Sequence, residues 1–322
     1  MALDNVPWFI GGGAEHSPSV ARLLGFAATQ GATGIIQPGD LLVRALAVPG
    51  TAVRIGPGAA TMYNRYPGAT SQSYLARNTS DTNVEIPATG SGETATRYII
   101  LRITDPQFGG QAPADVVNGP YVEAVHVSSI TNLPYPFVPL AKIVQPASTG
   151  TITQAMITDL REVANPRVKD VIRANPTVTG DLGLVLANTT TAGEQFPNGS
   201  AQDIEVPDWA TRMIVRAEWH GVKYTSSSKY GHFWVEYGRV GFGYEAETQR
   251  FSWDTGSASM IYRTNWSLVD ERVIPASWRG GSIRLWPQAR VIGGSGGSIT
   301  VDPTSGLSLS VRFLEVADPS TN

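Results

Sequence analysis

Apolar positions in this chain follow two periods. Near the N-terminus the period is helical: Val20, Leu23, Leu24 and Ala27 fall at i, i+3, i+4 and i+7 on one face. Ser17-Pro18 supplies an N-cap followed by proline at the first helical position, and Gly31 is placed to end the segment. A helix with one apolar stripe requires a partner, so it is expected to cover the edge of its own sheet or to pack on a neighbouring subunit. Trp8 precedes it across the flexible run Gly11-Gly12-Gly13. Trp8, Val20, Leu23, Leu24 and Ala27 are therefore the candidate assembly residues.

After Gly34 the apolar runs become short or alternating: 42–46, Ala52–Ile55, 59–63, 74–78, 84–86, 98–103, Val122–Val127 and 138–144. Turn signals separate them, including Gln37-Pro38-Gly39-Asp40, Val48-Pro49-Gly50 and Gly56-Pro57-Gly58. This pattern predicts an antiparallel sandwich. Residues 133–140 hold three prolines, which remove ladder donors, so an extended edge segment is expected there. A short helix is predicted over 151–161, with Thr153 as cap and Met156, Ile157 and Leu160 on one side. Residues 163–175 are polar and bounded by Asn165-Pro166 and Asn175-Pro176, which reads as a link between domains.

From about Asp181 the alternation lengthens. Met213, Val215, Ala217 and Trp219 oppose Arg212, Ile214, Arg216 and Glu218, and the pattern recurs at 283–286, Ile299–Val301 and 307–313. Seven of the eight tryptophans lie in this part. The fold class is thus all-β: two antiparallel sandwiches, at 1–165 with the leading helix and at 181–322, joined by a connector at 166–180. The second is expected to resemble a jelly roll.

Composition agrees with this organisation. The chain has 322 residues, 42% of them hydrophobic and 16% charged, with 34 glycines and 22 prolines, so it can fill two cores and has many turns. The 24 basic and 27 acidic residues are interspersed without basic runs, which argues against nucleic acid as a partner. Cysteine is absent, which excludes disulfides, thiolate catalysis and cysteine-based zinc sites. The N-terminus carries Asp4 where a signal peptide would be basic, and no apolar run approaches the roughly 20 residues that span a bilayer. A soluble protein, not embedded in a membrane, is expected.

Candidate chemistry is sparse. Gly293-Gly294-Ser295-Gly296-Gly297 satisfies the nucleophile-elbow pattern, but a Gly/Ser loop leading into a strand lacks the helix that an elbow needs. His232 and Glu236 share one strand face, as two metal ligands would. The stronger reading places Phe233, Val235 and Tyr237 in the core, with His232, Trp234 and Glu236 outward. No catalytic residue, metal site or cofactor is assigned. A carboxylate pair suited to glycoside cleavage needs only proximity in space and stays open as an alternative. An outward Trp234, with Tyr230 in the preceding loop, would suit sugar stacking. Trp219, Tyr224 and Trp253 are further ligand-contact candidates, although large aromatics more often fill cores.

Several segments of the first half resemble minor tail proteins of siphophages that infect mycobacteria and related actinobacteria. They are residues 8–17 (Trp-Phe-Ile-Gly-Gly-Gly-Ala-Glu-His-Ser), Ala21-Arg22-Leu23-Leu24, Pro38-Gly39-Asp40-Leu41 and Gly56-Pro57-Gly58-Ala59-Ala60. Asp105-Pro106-Gln107-Phe108, Leu133-Pro134-Tyr135-Pro136 and Ile157-Thr158-Asp159-Leu160-Arg161 complete the set, which covers roughly residues 1–167. The resemblance implies a virion protein assembled in the host cytoplasm and released at lysis. Its N-terminal half would attach to other tail-tip or baseplate proteins, the chain forming a homotrimer, and its C-terminal half would meet the host envelope, a glycan being the expected partner. It transfers no catalytic residue. A glycan-cleaving tail enzyme and a carbohydrate-binding module are the alternatives.

Overall fold

The computed structural model describes residues 17–69, 71–176, 184–187, 189–225, 228–256 and 260–318. Trp8, His16 and the Gly11-Gly12-Gly13 run lie outside them. The chain is all-β, with one α-helix among the described residues, and forms two compact units, 1–166 with 316–322 and 167–315. Among the described residues no helix is long and apolar enough to cross a membrane.

The first unit arranges its strands as three small antiparallel sheets around one core that includes Ile35, Leu41, Val53, Met62, Ile99 and Leu140. The helix spans Pro18–Thr29, with the Ser17 side chain accepting from the Ser19 N–H and Gln30 left-handed at the C-cap. It covers the edge strand Ser73–Asn78, but not with its apolar stripe. Arg22 and Gly25 face inward, whereas Leu23 is 42% and Leu24 47% exposed, Ala27 is exposed and Val20 half-buried. The reason is a close approach combined with a buried charge. A Cβ on Gly25 would lie 2.9 Å from the Ser73 carbonyl oxygen, so glycine lets the helix sit directly on the strand backbone. Arg22 then reaches Gln72 (2.6 Å), Gln107 (2.5 Å) and Asp105 (3.3 Å), with its guanidinium 5.5 Å from the Tyr74 ring centre and 5.3 Å from that of Phe108.

A second buried arginine closes the unit. Arg161 donates to Asp159 (2.9 and 2.8 Å) and to the carbonyls of Asp40 (2.6 Å) and Pro38 (3.2 Å). Residues 151–161 are consequently not a helix. A single 3-10 turn, Gln154–Met156, leads into the strand Ile157–Asp159, which pairs with Phe137–Gln145, and Thr153 makes no side-chain cap. Strand pairing outcompetes the weak helical tendency of Ile152, Thr153, Ile157 and Thr158, which are β-branched. The proline-rich segment also departs from expectation: Phe137–Gln145 is an interior strand between Ile157–Asp159 and Ala95–Ile103. Pro139 is accommodated because the register shifts beside it and the short outer strand pairs only with Ala141, Lys142 and Ile143.

The second unit is a jelly roll. Its eight principal strands are β1 (Val168–Pro176), β2 (Gln202–Glu205), β3 (Arg212–Tyr224), β4 (Tyr230–Arg239), β5 (Phe251–Asp254), β6 (Tyr262–Val273), β7 (Ser282–Gly293) and β8 (Gly306–Leu314). One sheet runs β1-β8-β3-β6 and the other β2-β7-β4-β5, all antiparallel, with short strands added at the margins. This is the interleaved order of two Greek keys. Residues 168–176, expected in the connector, are therefore the nine-residue β1, whose partner β8 lies far along the chain and leaves no local signature. Their polar composition reflects an edge strand that is largely exposed.

Alternation is strict where the two sheets meet. Met213, Val215, Ala217 and Trp219 point inward from β3, Phe233, Val235 and Tyr237 from β4, and Leu307, Leu309, Val311 and Phe313 from β8. An aromatic cluster binds the sheets: Phe233 stacks on Trp266 at 5.2 Å, Trp266 on Trp253 at 5.5 Å, and Trp219 meets Phe233 edge-on at 5.4 Å.

The Arg22 linkage yields a direct expectation. Arg22→Ala removes the only cation described beside the partly buried Asp105 and unfastens the helix, so it should cost roughly 3–5 kcal/mol in the denaturant unfolding of the first unit. A loss below about 1 kcal/mol would mean that the helix is held by something else.

Candidate functional site

Three of the sequence candidates belong to the core. Trp219, Tyr224 and Trp253 are buried in the aromatic cluster, with the Trp219 indole N–H donating to the Phe196 carbonyl (2.7 Å) and the Tyr224 hydroxyl accepting from Trp266 (2.6 Å). Their alternation phase points them inward, so they are not available to a ligand. Tyr230 opens β4 rather than sitting in the loop before it, and is exposed opposite Asp254.

His232, Trp234 and Glu236 do lie on the outer face of β4, since the inward positions are Phe233, Val235 and Tyr237. Trp234 is nevertheless 0% exposed. It is covered from outside the sandwich: the Arg250 guanidinium lies 4.1 Å from its ring centre, and the loop at Gly193 lies against its edge. Gly193 has φ +73°, and a Cβ there would collide with the indole ring, so a glycine is required for the loop to pass. Trp234 is thus a floor and not a ligand platform. Its indole N–H donates to Glu236 Oε1 (3.2 Å), and Gln288 Nε2 on the adjacent β7 donates to Glu236 Oε2 (3.1 Å).

Above this floor is a cleft of about 600 Å³ lined by 191–195, Glu236, Tyr244, Glu247, Arg250 and Gln288. Arg250 is held in place from three sides, by both Glu247 oxygens (2.9 Å each), by the Thr191 carbonyl (2.8 Å) and by the Trp234 ring. Glu236 and Glu247 are direct cross-strand partners. Burial raises the Glu236 carboxyl above the ordinary glutamate value, and the Glu247 charge adds to this, against the opposing effects of Trp234, Arg250 and Gln288. Tyr244 stands at the rim, 57% exposed, next to Phe242, 68% exposed, whose ring stacks 4.0 Å from the Arg239 guanidinium. His232 lies further along the strip, its Nδ1 3.3 Å from Arg290, and burial and the Arg290 charge lower its pKa. A cation beside that nitrogen opposes metal binding by His232 and Glu236.

Sequence reasoning located the strip but missed Tyr244, Glu247, Arg250 and Gln288. A signal existed in Gly241-Phe242-Gly243-Tyr244, where aromatics alternate with glycines in a turn. The remainder depends on pairing across strands that no local pattern encodes. Gly293-Gly294-Ser295-Gly296-Gly297 is the loop between β7 and the strand Ile299–Val301, without the helix of a nucleophile elbow.

No family model matches the chain, and no curated protein matches it. Solved structures align over most of its length but superimpose poorly. The VP2 subviral particle of infectious bursal disease virus is 14% identical over 94% of this chain and 78% of that one, with a TM-score of 0.25. PNGase F, a glycosylasparaginase from Flavobacterium meningosepticum, is 10% identical over 89% and 90%, with a TM-score of 0.26. The tandem CBM22 domains of Paenibacillus barcinonensis Xyn10C are 9% identical over 87% and 98%, with a TM-score of 0.21. Scores of this size carry no conclusion about this chain.

The state of Glu236 gives a pH-dependent expectation. A carboxyl whose folded pKa is raised contributes stability at low pH that is lost as pH rises from the ordinary glutamate value, 4.5, through the folded one. Glu236→Gln should therefore raise the melting temperature relative to wild type at pH 8 and do so less at pH 4. An equal shift at both values would show that the carboxyl is not perturbed.

Proposed function

We propose that the protein is a structural component of a phage tail tip, with the first unit serving assembly and the second meeting a glycan of the host envelope. The observation that carries this reading is the cleft on the outer face of the second sheet. There an exposed Tyr244 adjoins fixed hydrogen-bonding groups, on a surface that the jelly-roll core does not require. Few, oriented polar groups beside an aromatic face are what a sugar-binding cleft needs. For assembly, support comes from the helix, whose apolar Leu23, Leu24 and Ala27 are exposed while Arg22 fastens it from below. The resemblance of roughly residues 1–167 to siphophage minor tail proteins supports attachment as the role of that half.

A second reading, glycan cleavage, is favoured by one observation: Glu236, with a raised pKa, faces Glu247, which Arg250 holds by both oxygens. Release of reducing ends from purified host polysaccharide would select it over binding alone.

Tyr244→Ala tests the binding reading without disturbing the core. Particles carrying it should assemble normally and adsorb to host cells about tenfold less, and the purified chain should keep its melting temperature, since exposed substitutions usually change stability by no more than about 0.5 kcal/mol. Unchanged adsorption would remove the cleft from host contact.

A further inference from the structure

The chain contains two Asn-Gly pairs, Asn118-Gly119 and Asn198-Gly199, each with an exposed asparagine, and the fold treats them in opposite ways. Asparagine before glycine is prone to react with its own backbone, because a residue without a Cβ lets its nitrogen approach the asparagine Cγ. In the first pair the groups that would have to move are held. The Asn118 side-chain amide donates to Asp115 Oδ2 (2.8 Å), the Asn118 N–H donates to Asp115 Oδ1 (3.0 Å), and the Gly119 N–H donates to the Asp115 carbonyl (2.8 Å). A Cβ on Gly119 would lie 2.9 Å from the Tyr121 nitrogen, so the backbone is closely packed there as well. The bonds from the Asn118 side chain, the Asn118 N–H and the Val117 N–H hold the Asp115 carboxyl below the ordinary aspartate value, which keeps it charged and accepting at neutral pH. The second pair lies in the turn 197–200, closed by the Ser200 N–H donating to the Pro197 carbonyl (3.2 Å), with Gly199 at φ +78°. Such a turn engages the N–H of its fourth residue and leaves that of its third free. Among the described residues nothing bonds the Asn198 side chain or the Gly199 N–H, and a Cβ on Gly199 would meet no atom within 4 Å.

We infer that Asn198 is a site of spontaneous deamidation in the folded protein, and that the Asp115 turn shields Asn118 from the same reaction. The Gly199 nitrogen gives its proton to hydroxide and attacks Asn198 Cγ. The N–Cγ bond forms, the Cγ–Nδ2 bond breaks, and the departing nitrogen takes a proton from water and leaves as ammonia. Water then opens the resulting five-membered imide at either of its carbonyls, giving aspartate or isoaspartate. At Asn118 the same attack must first release the Gly119 N–H and the side-chain amide from Asp115. The product at 198 carries a new carboxylate, and as isoaspartate an extra main-chain carbon. It stands two residues from Phe196, whose carbonyl holds the Trp219 indole N–H at the edge of the aromatic core (2.7 Å).

Incubation of the full chain in warm, mildly alkaline buffer, followed by digestion and mass spectrometry of the two Asn-Gly peptides, tests this through the mass gain of an amide-to-acid change. In the folded chain Asn198 should convert about tenfold or more faster than Asn118, whose reaction must first break hydrogen bonds. In denaturant the two sites should react at similar rates, since only the fold separates them. Asp115→Ala, a substitution at an exposed position, should speed conversion at Asn118 several-fold and leave Asn198 as it was. The comparison of folded with denatured chain needs no variant, so it decides the matter even if Asp115→Ala fails to fold. No conversion at Asn198 in the folded chain, conversion at Asn118 as fast or faster, or the same difference persisting in denaturant would each overturn the inference. An unchanged Asn118 rate in folded Asp115→Ala would overturn the shielding role of that turn.

Discussion

The two-residue period of the long strands in the second unit is the constraint from which the rest follows. β3, β4, β7 and β8 each commit alternate side chains to one space between two sheets, and that space is filled by Trp219, Phe233, Trp253 and Trp266 in mutual contact. Large aromatic side chains supply much apolar area, so this arrangement anchors both sheets at once. A register slip of one residue would place these rings in solvent and bring Arg212, Arg216, Glu218 and Arg312 inward. The register is therefore strongly specified. The outer faces are what remains for recognition, and on β4 and β7 that face carries Glu236, Gln288 and the covered Trp234.

The first unit depends less on periodicity. Its strands are short, and two buried arginines tie distant loops to one another. Arg22 gathers Gln72, Asp105 and Gln107, and Arg161 gathers Asp159 with the carbonyls of Pro38 and Asp40. These contacts join segments far apart in the chain: Ala21-Arg22-Leu23-Leu24 meets Asp105-Pro106-Gln107-Phe108, and Pro38-Gly39-Asp40-Leu41 meets Ile157-Thr158-Asp159-Leu160-Arg161. Those motifs are fasteners of the fold. They contain no reactive grouping, and in the helix they turn a charged residue inward and leave the leucines outside.

What could be read from sequence follows this division. Strands with long alternation, such as Arg212–Tyr224, and strands bounded by Gly/Pro turns, such as Ala52–Ile55, are legible because local pattern and burial agree. The helix was legible as an element, but the orientation of its faces was not, since that depends on Gly25 meeting Ser73 and on Arg22 finding partners 50 to 85 residues away. β1 was mistaken for a connector because its partner is β8, at the far end of the unit. At the site, the phase of Trp234 was correct and its accessibility was not. Exposure on an outer sheet face depends on what crosses above it, and here Arg250 and Gly193 cross it. Tyr244, from a glycine-rich turn, takes the exposed aromatic position that alternation alone assigned to Trp234.

Contact between this cleft and a host glycan, as proposed above, would shield its amides and leave those of the aromatic core and the remaining outer faces as they are. Amide hydrogen exchange of the full chain with and without purified host-envelope polysaccharide measures this most directly. Added protection is expected at 191–195, 236, 244–250 and 288 alone, with β1, β6 and β8 unchanged. Protection concentrated on β1, β6 and β8 with none around Tyr244 would contradict it.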